Sequence, residues 1–299
     1  MKTNRLYIPI LALALAAGFT SCDDFLDREP MSTVDPEVYF TQVSQLESYA
    51  NQLYENILPS HGNWSYGIFG EDSGTDNQTG ATANNRFAEG LWKVPNKDDD
   101  NWKFEWIYRC NFFLQNVLEK YGTKEDGSEN TIMGDLASIK HYIGEIYFLR
   151  AYEYFKRYQK YGDFPIITEP LADDMEILRE SNKRMPRTEV ARFILDDLKK
   201  AYDFLSAKEM ATTRINKDAA LLLRSRVALF EGTWLKSFEG TAFVPNGEGW
   251  PGASKDYNKD YQFKSGSIDK EINYFLEQAI ADAETISEAY KNDLAENKG

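Results

Sequence analysis

Residues 144–168 read GEIYFLRAYEYFKRYQKYGDFPIIT. With the residues leading into them, they place Ile143, Ile146, Tyr147, Ala151, Tyr154, Phe155 and Tyr158 at spacings of three, four and seven. Side chains so spaced share one face of a helix, and the pattern predicts one over 135–161. Gly162 follows, where a helix end accepts a residue free to turn left-handed. Asp163-Phe164-Pro165-Ile166-Ile167 then predicts a short extended crossing, because the residue before a proline avoids the helical region. A long aromatic helix, a sharp stop and a crossing set the expectation for the rest of the chain.

The same period recurs on both sides. Val43, Leu46, Ala50, Leu53 and Ile57 predict a helix, with Asp35 as its cap, Pro36 in its first turn and Pro59 at its end. Trp102, Trp106, Cys110, Phe113 and Val117 predict a helix over 101–121. Asn101 is its candidate cap, with Asp98 to Asp100 at the positive end of its dipole. Phe193, Ile194, Asp197, Leu198, Ala201 and Leu205 predict a helix over 188–205, with Pro186 before it and Thr188 as cap. Ala220, Leu223, Val227, Phe230 and Trp234 predict another over 217–238, capped by Asn216. Ile268, Ile272, Phe275, Ala279, Ala283 and Ile286 predict the last, over 268–290. Small residues recur where such helices would cross. The expected fold is all-α, with tetratricopeptide-like helical hairpins and long irregular loops. Because the repeat period is uneven, an irregular helical domain is the other reading of the pattern.

Two stretches break the period. Residues 60–100 are rich in Gly, Asn, Asp, Ser and Thr, with Trp64, Tyr66, Phe69, Phe87 and Trp92 scattered among them. Residues 239–267 carry Trp250, Tyr257 and Tyr261. Loops this long inside a domain are often functional. In the first, Trp92 and Trp64 offer flat faces on which sugar rings pack. Asp72, Asp76, Asn77, Asn84, Asn85 and Arg86 offer partners for hydroxyl groups. Equally, the two tryptophans serve to anchor the loop on the helices.

Catalytic and metal signatures are absent from the sequence. It contains no GxSxG, HExxH, GxGxxG or GxxxxGK[ST] pattern, and neither a CxxC nor a zinc spacing. Residues 72–83 depart from a calcium loop, with Gly74 in the third position and Ala83 in the twelfth. No cofactor and no metal are expected. Of the two histidines, His61 opens the first loop, and His141 is expected at the surface or boundary of its helix rather than as a base. A carboxylate pair about 5–10 Å apart is all that glycoside hydrolysis needs. Among 48 acidic residues no pair stands out, so a helical glycan-cleaving enzyme is the alternative function and a purely structural adaptor the third.

The amino terminus reads as an export signal. Lys2 and Arg5 precede an apolar run of 14 residues, Leu6 to Phe19, too short to span a bilayer comfortably. Small residues then lead into Cys22, the pattern of a bacterial lipoprotein signal in which that cysteine is lipidated. An ordinary secretory signal with an incidental cysteine is the competing reading. Lipidation would leave Cys110 alone, as a small apolar residue inside a helix. Residues 1–21 would be removed, residues 22–35 would form an extended tether, and a helical domain would occupy 36–299. Lys2 and Arg5 are the only charged residues in the removed segment, so the formal charge moves from −14 to −16. A chain so acidic does not bind nucleic acid by neutralising phosphates.

Four segments, taken in order, resemble the SusD/RagB family of outer-membrane nutrient-binding lipoproteins of Bacteroidota. They are Cys22 with the following DDFLDREP, the stretch 144–168 quoted above, MPRTEVARFILDDLKKAYDFL at 185–205 and RINKDAALLLRSRVALFEGTW at 214–234. The resemblance implies tetratricopeptide-like hairpins that dock a SusC-like TonB-dependent transporter. It implies a glycan or oligosaccharide ligand held by loops outside the repeats, and no catalytic activity. It also implies membrane attachment through the lipid on Cys22 alone, in the outer membrane and facing outward. Members of the family are usually longer, so the chain is expected to correspond to the N-terminal part of one, with much of the ligand face beyond it.

Overall fold

A computed structural model of the protein describes residues 39–59, 89, 102–124, 126–207 and 213–293. Among these residues lie seven α-helices: α1 Val43–Ile57, α2 Glu105–Tyr121, α3 Leu136–Tyr161, α4 Met175–Ser181, α5 Arg187–Phe204, α6 Lys217–Ser237 and α7 Ile268–Tyr290. A short 3-10 turn, Pro251–Ser254, sits between α6 and α7. Only isolated bridges, such as Phe164 with Met185, represent β-structure among the described residues. The fold is all-α and tetratricopeptide-like.

Local chemistry sets the limits of α3. The Asp135 carboxylate accepts the Ser138 N–H at 2.8 Å, satisfying a first-turn donor. At the other end Gly162 adopts φ 67°, which favours glycine, and its N–H bonds the Tyr158 carbonyl. The predicted stripe is internal: Tyr147, Ala151, Tyr154 and Phe155 are all buried. Yet α3 is not a one-faced helix. Of its 26 residues, 17 are buried, so neighbours surround it.

Five of its buried positions carry polar or charged side chains: His141, Glu145, Arg150, Glu153 and Arg157. Arg150 holds Asp197 of α5 through two bonds of 2.7 Å and donates to Asn111 of α2 at 2.8 Å. Asn111 in turn donates to the Ile167 carbonyl, tying the crossing to both helices. Glu145 receives two bonds from Arg214 at 2.8 and 2.6 Å and one from Tyr54 of α1 at 2.5 Å. Unpaired, each charge would cost several kcal/mol to bury; paired in bidentate geometry, they fix which helices meet.

These pairs also fix direction. Near the start of α3, Gly144 lies against Ala201 and Leu205 at the end of α5. Near the end of α3, Tyr158 bonds Arg187 at the start of α5. The two helices are therefore antiparallel. By the same logic Arg187 with Glu231 makes α5 antiparallel to α6. Gly232 against Leu276, with Arg224 bonded to Asp282, makes α6 antiparallel to α7. Glycine at 144 and 232 lets the backbones approach: a Cβ there would meet heavy atoms at 2.9 and 2.8 Å.

Several expected boundaries move. α1 begins at Val43, not near Pro36; Gln45 accepts the Gln42 N–H at 3.0 Å and closes its first turn. α2 begins at Glu105 rather than 101, with Phe104 at its cap position. Trp102 falls outside the helix because it joins an aromatic cluster with Phe104, Tyr161 and Phe164 at centroid distances of 4.8–5.8 Å. Pro186, not Thr188, precedes α5. Thr188 is buried and its hydroxyl shares a hydrogen bond with that of Tyr261. His141 is fully buried rather than at the surface. Its Nδ1 accepts the Ser206 N–H at 3.1 Å, which leaves Nε2 to donate to Glu145 at 3.0 Å. Cys110 is a free, buried thiol, and burial pushes its pKa up.

Candidate functional site

Where α3 stops, the second irregular stretch folds back over it. A cavity of about 760 Å³ opens between the end of α3, residues 182–187, the end of α6 and residues 242–258. Asp163, directly after the helix stop, positions it. One Asp163 oxygen accepts the Trp250 indole N–H at 2.7 Å; the other accepts the Arg187 backbone N–H at 2.8 Å and so caps α5. Burial pushes the Asp163 carboxyl above the usual range, and these two N–H groups oppose that shift. Trp250 is only 4% exposed, and a Cβ on Gly252 would lie 2.1 Å from its ring, so glycine is required for the indole to fit. Asn258 adds a third tie, donating to the Arg184 carbonyl at 3.0 Å.

The anchored stretch displays other aromatic rings. Phe243 is 61% exposed and Tyr257 42%. Phe243 is held from behind, since its carbonyl accepts the Trp234 indole N–H at 3.1 Å and its ring meets Phe238 edge-on at 5.5 Å. One face of Trp234 is taken by the Arg187 guanidinium, 4.3 Å from the ring. The site thus offers open aromatic faces beside Asn182, Arg184 and Lys255, all exposed at its rim. Flat apolar faces next to fixed polar groups suit a ligand with two kinds of surface, such as a sugar ring.

Carboxylate chemistry is poorly provided. Among the described residues, Asp163 is the one carboxylate in the cavity lining, and both its oxygens are engaged. Glu231 lies behind it, fully buried, and is consumed by Arg187 and the Tyr158 hydroxyl. Among the described residues the lining holds no second carboxylate for a hydrolytic pair. A smaller cavity of about 320 Å³ lies between Trp102, Phe104, Tyr108, Ile167, Leu171 and Leu178 and is mainly apolar. Among the described residues no group of His, Cys, Asp and Glu is placed to hold a metal.

The residues singled out in the first loop, Trp64, Asp76, Asn77, Arg86 and Trp92, lie outside the described residues, as does Cys22. Of the loop aromatics in the second stretch, Trp250 serves as an anchor and Tyr257 as an exposed face. Asp163 stood in the predicted crossing, but nothing local marked it or Arg184 as a site residue: Trp250 and Asn258, which they bond, lie 87 and 74 residues away.

Comparison with known proteins adds a lineage. Residues 24–229 match the model of a family described as SusD-like, starch-binding and associating with the outer membrane. SusD-like protein P25 of Formosa agariphila is 26% identical over 72% of this chain and 41% of its own length. SusD-like protein P2 of the same organism is 25% identical over 83% of this chain and 47% of its own length. The chain therefore spans less than half the length of these relatives. The solved structure of BT4246 aligns with a TM-score of 0.55 at 19% identity, over 84% of this chain and 40% of that protein, a likeness of fold.

Proposed function

Since the chain belongs to the SusD-like family, we propose that it is a non-catalytic glycan-binding lipoprotein of the cell surface that passes its ligand to a SusC-like TonB-dependent transporter. The observation that carries the binding role is the cavity at the end of α3, where Phe243 and Tyr257 expose their rings beside fixed polar groups. Support for the outer membrane comes from the family's description. Residues 1–21 act as a removable signal, residues 22–35 as a tether, and Cys22 as the acylated anchor. Residues 36–299 form the helical scaffold that meets the transporter.

Two experiments test this reading. Two or more acyl chains give stable attachment, whereas one is marginal. Cys22→Ala is therefore expected to move the protein from the outer-membrane fraction to the soluble fraction in cells lacking the transporter. Retention in the membrane would refute the anchor. For the binding site, Phe243→Ala is expected to weaken oligosaccharide binding in calorimetry by about tenfold, the scale of one lost aromatic contact. The melting temperature should stay nearly unchanged, because the ring is mostly exposed. A lowered melting temperature with unaltered affinity would assign Phe243 to packing and remove the site.

A further inference from the structure

The cavity at the end of α3 has the opposite charge balance to the rest of the chain. The sequence carries 48 acidic residues against 34 Lys and Arg. Among the described residues the cavity lining reverses this, with Lys160, Arg184, Arg187 and Lys255 against Asp163. These cations are not equivalent. Arg187 is neutralised from behind by Glu231, at 2.8 Å. Arg184 and Lys255 are exposed; among the described residues neither has a carboxylate within ion-pair distance, although Arg184 is close enough to Asp163 to favour its charged form. Arg184 is also held in place: its guanidinium lies 4.5 Å from the Trp102 ring centroid, and its carbonyl accepts from Asn258. A guanidinium resting on an aromatic ring keeps its N–H fork free and pre-oriented for a planar anion.

From this we infer that the cavity selects acidic sugars, oligosaccharides bearing carboxylate or sulfate groups, over neutral ones. Phe243 and Tyr257 take the apolar faces of the sugar rings, while Arg184 and Lys255 take the anionic substituents. In a chain of net charge −14, long-range electrostatics repels a polyanion. Selection therefore depends on the local pair of cations, and added salt should weaken binding only moderately at close range. The inference rests on the proposal that this cavity binds glycan, and the test separates the two.

The full chain is titrated calorimetrically at about 150 mM salt, close to physiological ionic strength. The probes are tetragalacturonate, a sulfated carrageenan tetrasaccharide, maltotetraose and tetraglutamate. At least one of the acidic sugars is expected to bind about tenfold more tightly than maltotetraose, and the two arms tell carboxylate from sulfate recognition. Lys255→Gln and the double variant Arg184→Gln/Lys255→Gln should bring that sugar down to the level of maltotetraose. Both positions are exposed, and an unchanged melting temperature confirms that the fold is kept. Maltotetraose binding as tightly as the acidic sugars overturns the charge selection and leaves the glycan reading standing. Tetraglutamate matching the acidic sugars overturns it too, since any anion would then do. Failure of all three sugars defeats both readings.

Discussion

Arg150→Ala is expected to destabilise the protein by about 3–5 kcal/mol, the cost of leaving a buried charge without its partner. Burial by itself disfavours the charged guanidinium, but Asp197 outweighs it and holds the proton more tightly than in an exposed arginine. Truncation strands two polar groups and uncovers two rings at once. Asp197, fully buried, loses two bonds of 2.7 Å, and the Asn111 carbonyl oxygen loses one of 2.8 Å. Tyr147 and Phe193 lose the cation against their rings, at 5.6 and 5.3 Å. Urea denaturation of the single variant reads the loss. The double variant Arg150→Met/Asp197→Leu should recover most of it, because removing both charges together leaves far less to desolvate. A single-variant loss below about 1 kcal/mol would mean that water reaches the pair, and that α2, α3 and α5 do not close around it.

Phe155→Ala is expected to cost about 3–5 kcal/mol, from lost transfer energy and the cavity left behind. The ring is 3% exposed and meets Phe230 of α6 edge-on at a centroid distance of 5.9 Å. It also stacks beside Tyr158, whose hydroxyl joins the Arg187 and Glu231 pair. The same side chain thus supports both the α3–α6 contact and the floor of the candidate site. Thermal and chemical denaturation should agree on the loss. A value below about 1 kcal/mol would place Phe155 against solvent and shift the phase of α3.

The apolar half of this fold was legible in the sequence because helical burial is periodic. The positions from Ile143 to Tyr158 could be read from spacing alone, and so could the stop at Gly162. Caps were legible only where a side chain next to the helix supplied the bond, as at Asn216, which accepts the Ala219 N–H at 3.0 Å. The cap of α5 escaped because a distant carboxylate, Asp163, supplies it. His141 was misplaced for a related reason. Glu145 stands one helical turn away, but the Ser206 amide that engages the other ring nitrogen is met only after the chain has folded back. Asp197 was the readable hint, a carboxylate standing inside an apolar row, where burial demands a cation. The candidate site was half legible. Trp250 and Tyr257 stood out as aromatics without a helical period, but nothing local showed that Trp250 anchors on Asp163, 87 residues earlier.

A crystal structure of the protein grown with an oligosaccharide it binds tests the central claim most directly. Sugar rings packed on Phe243 or Tyr257, within the cavity bounded by Asp163, Arg184 and Lys255, are the expected result. Saturating ligand found only elsewhere, whether against Trp64 and Trp92 or on the helical faces, with this cavity empty, would contradict it.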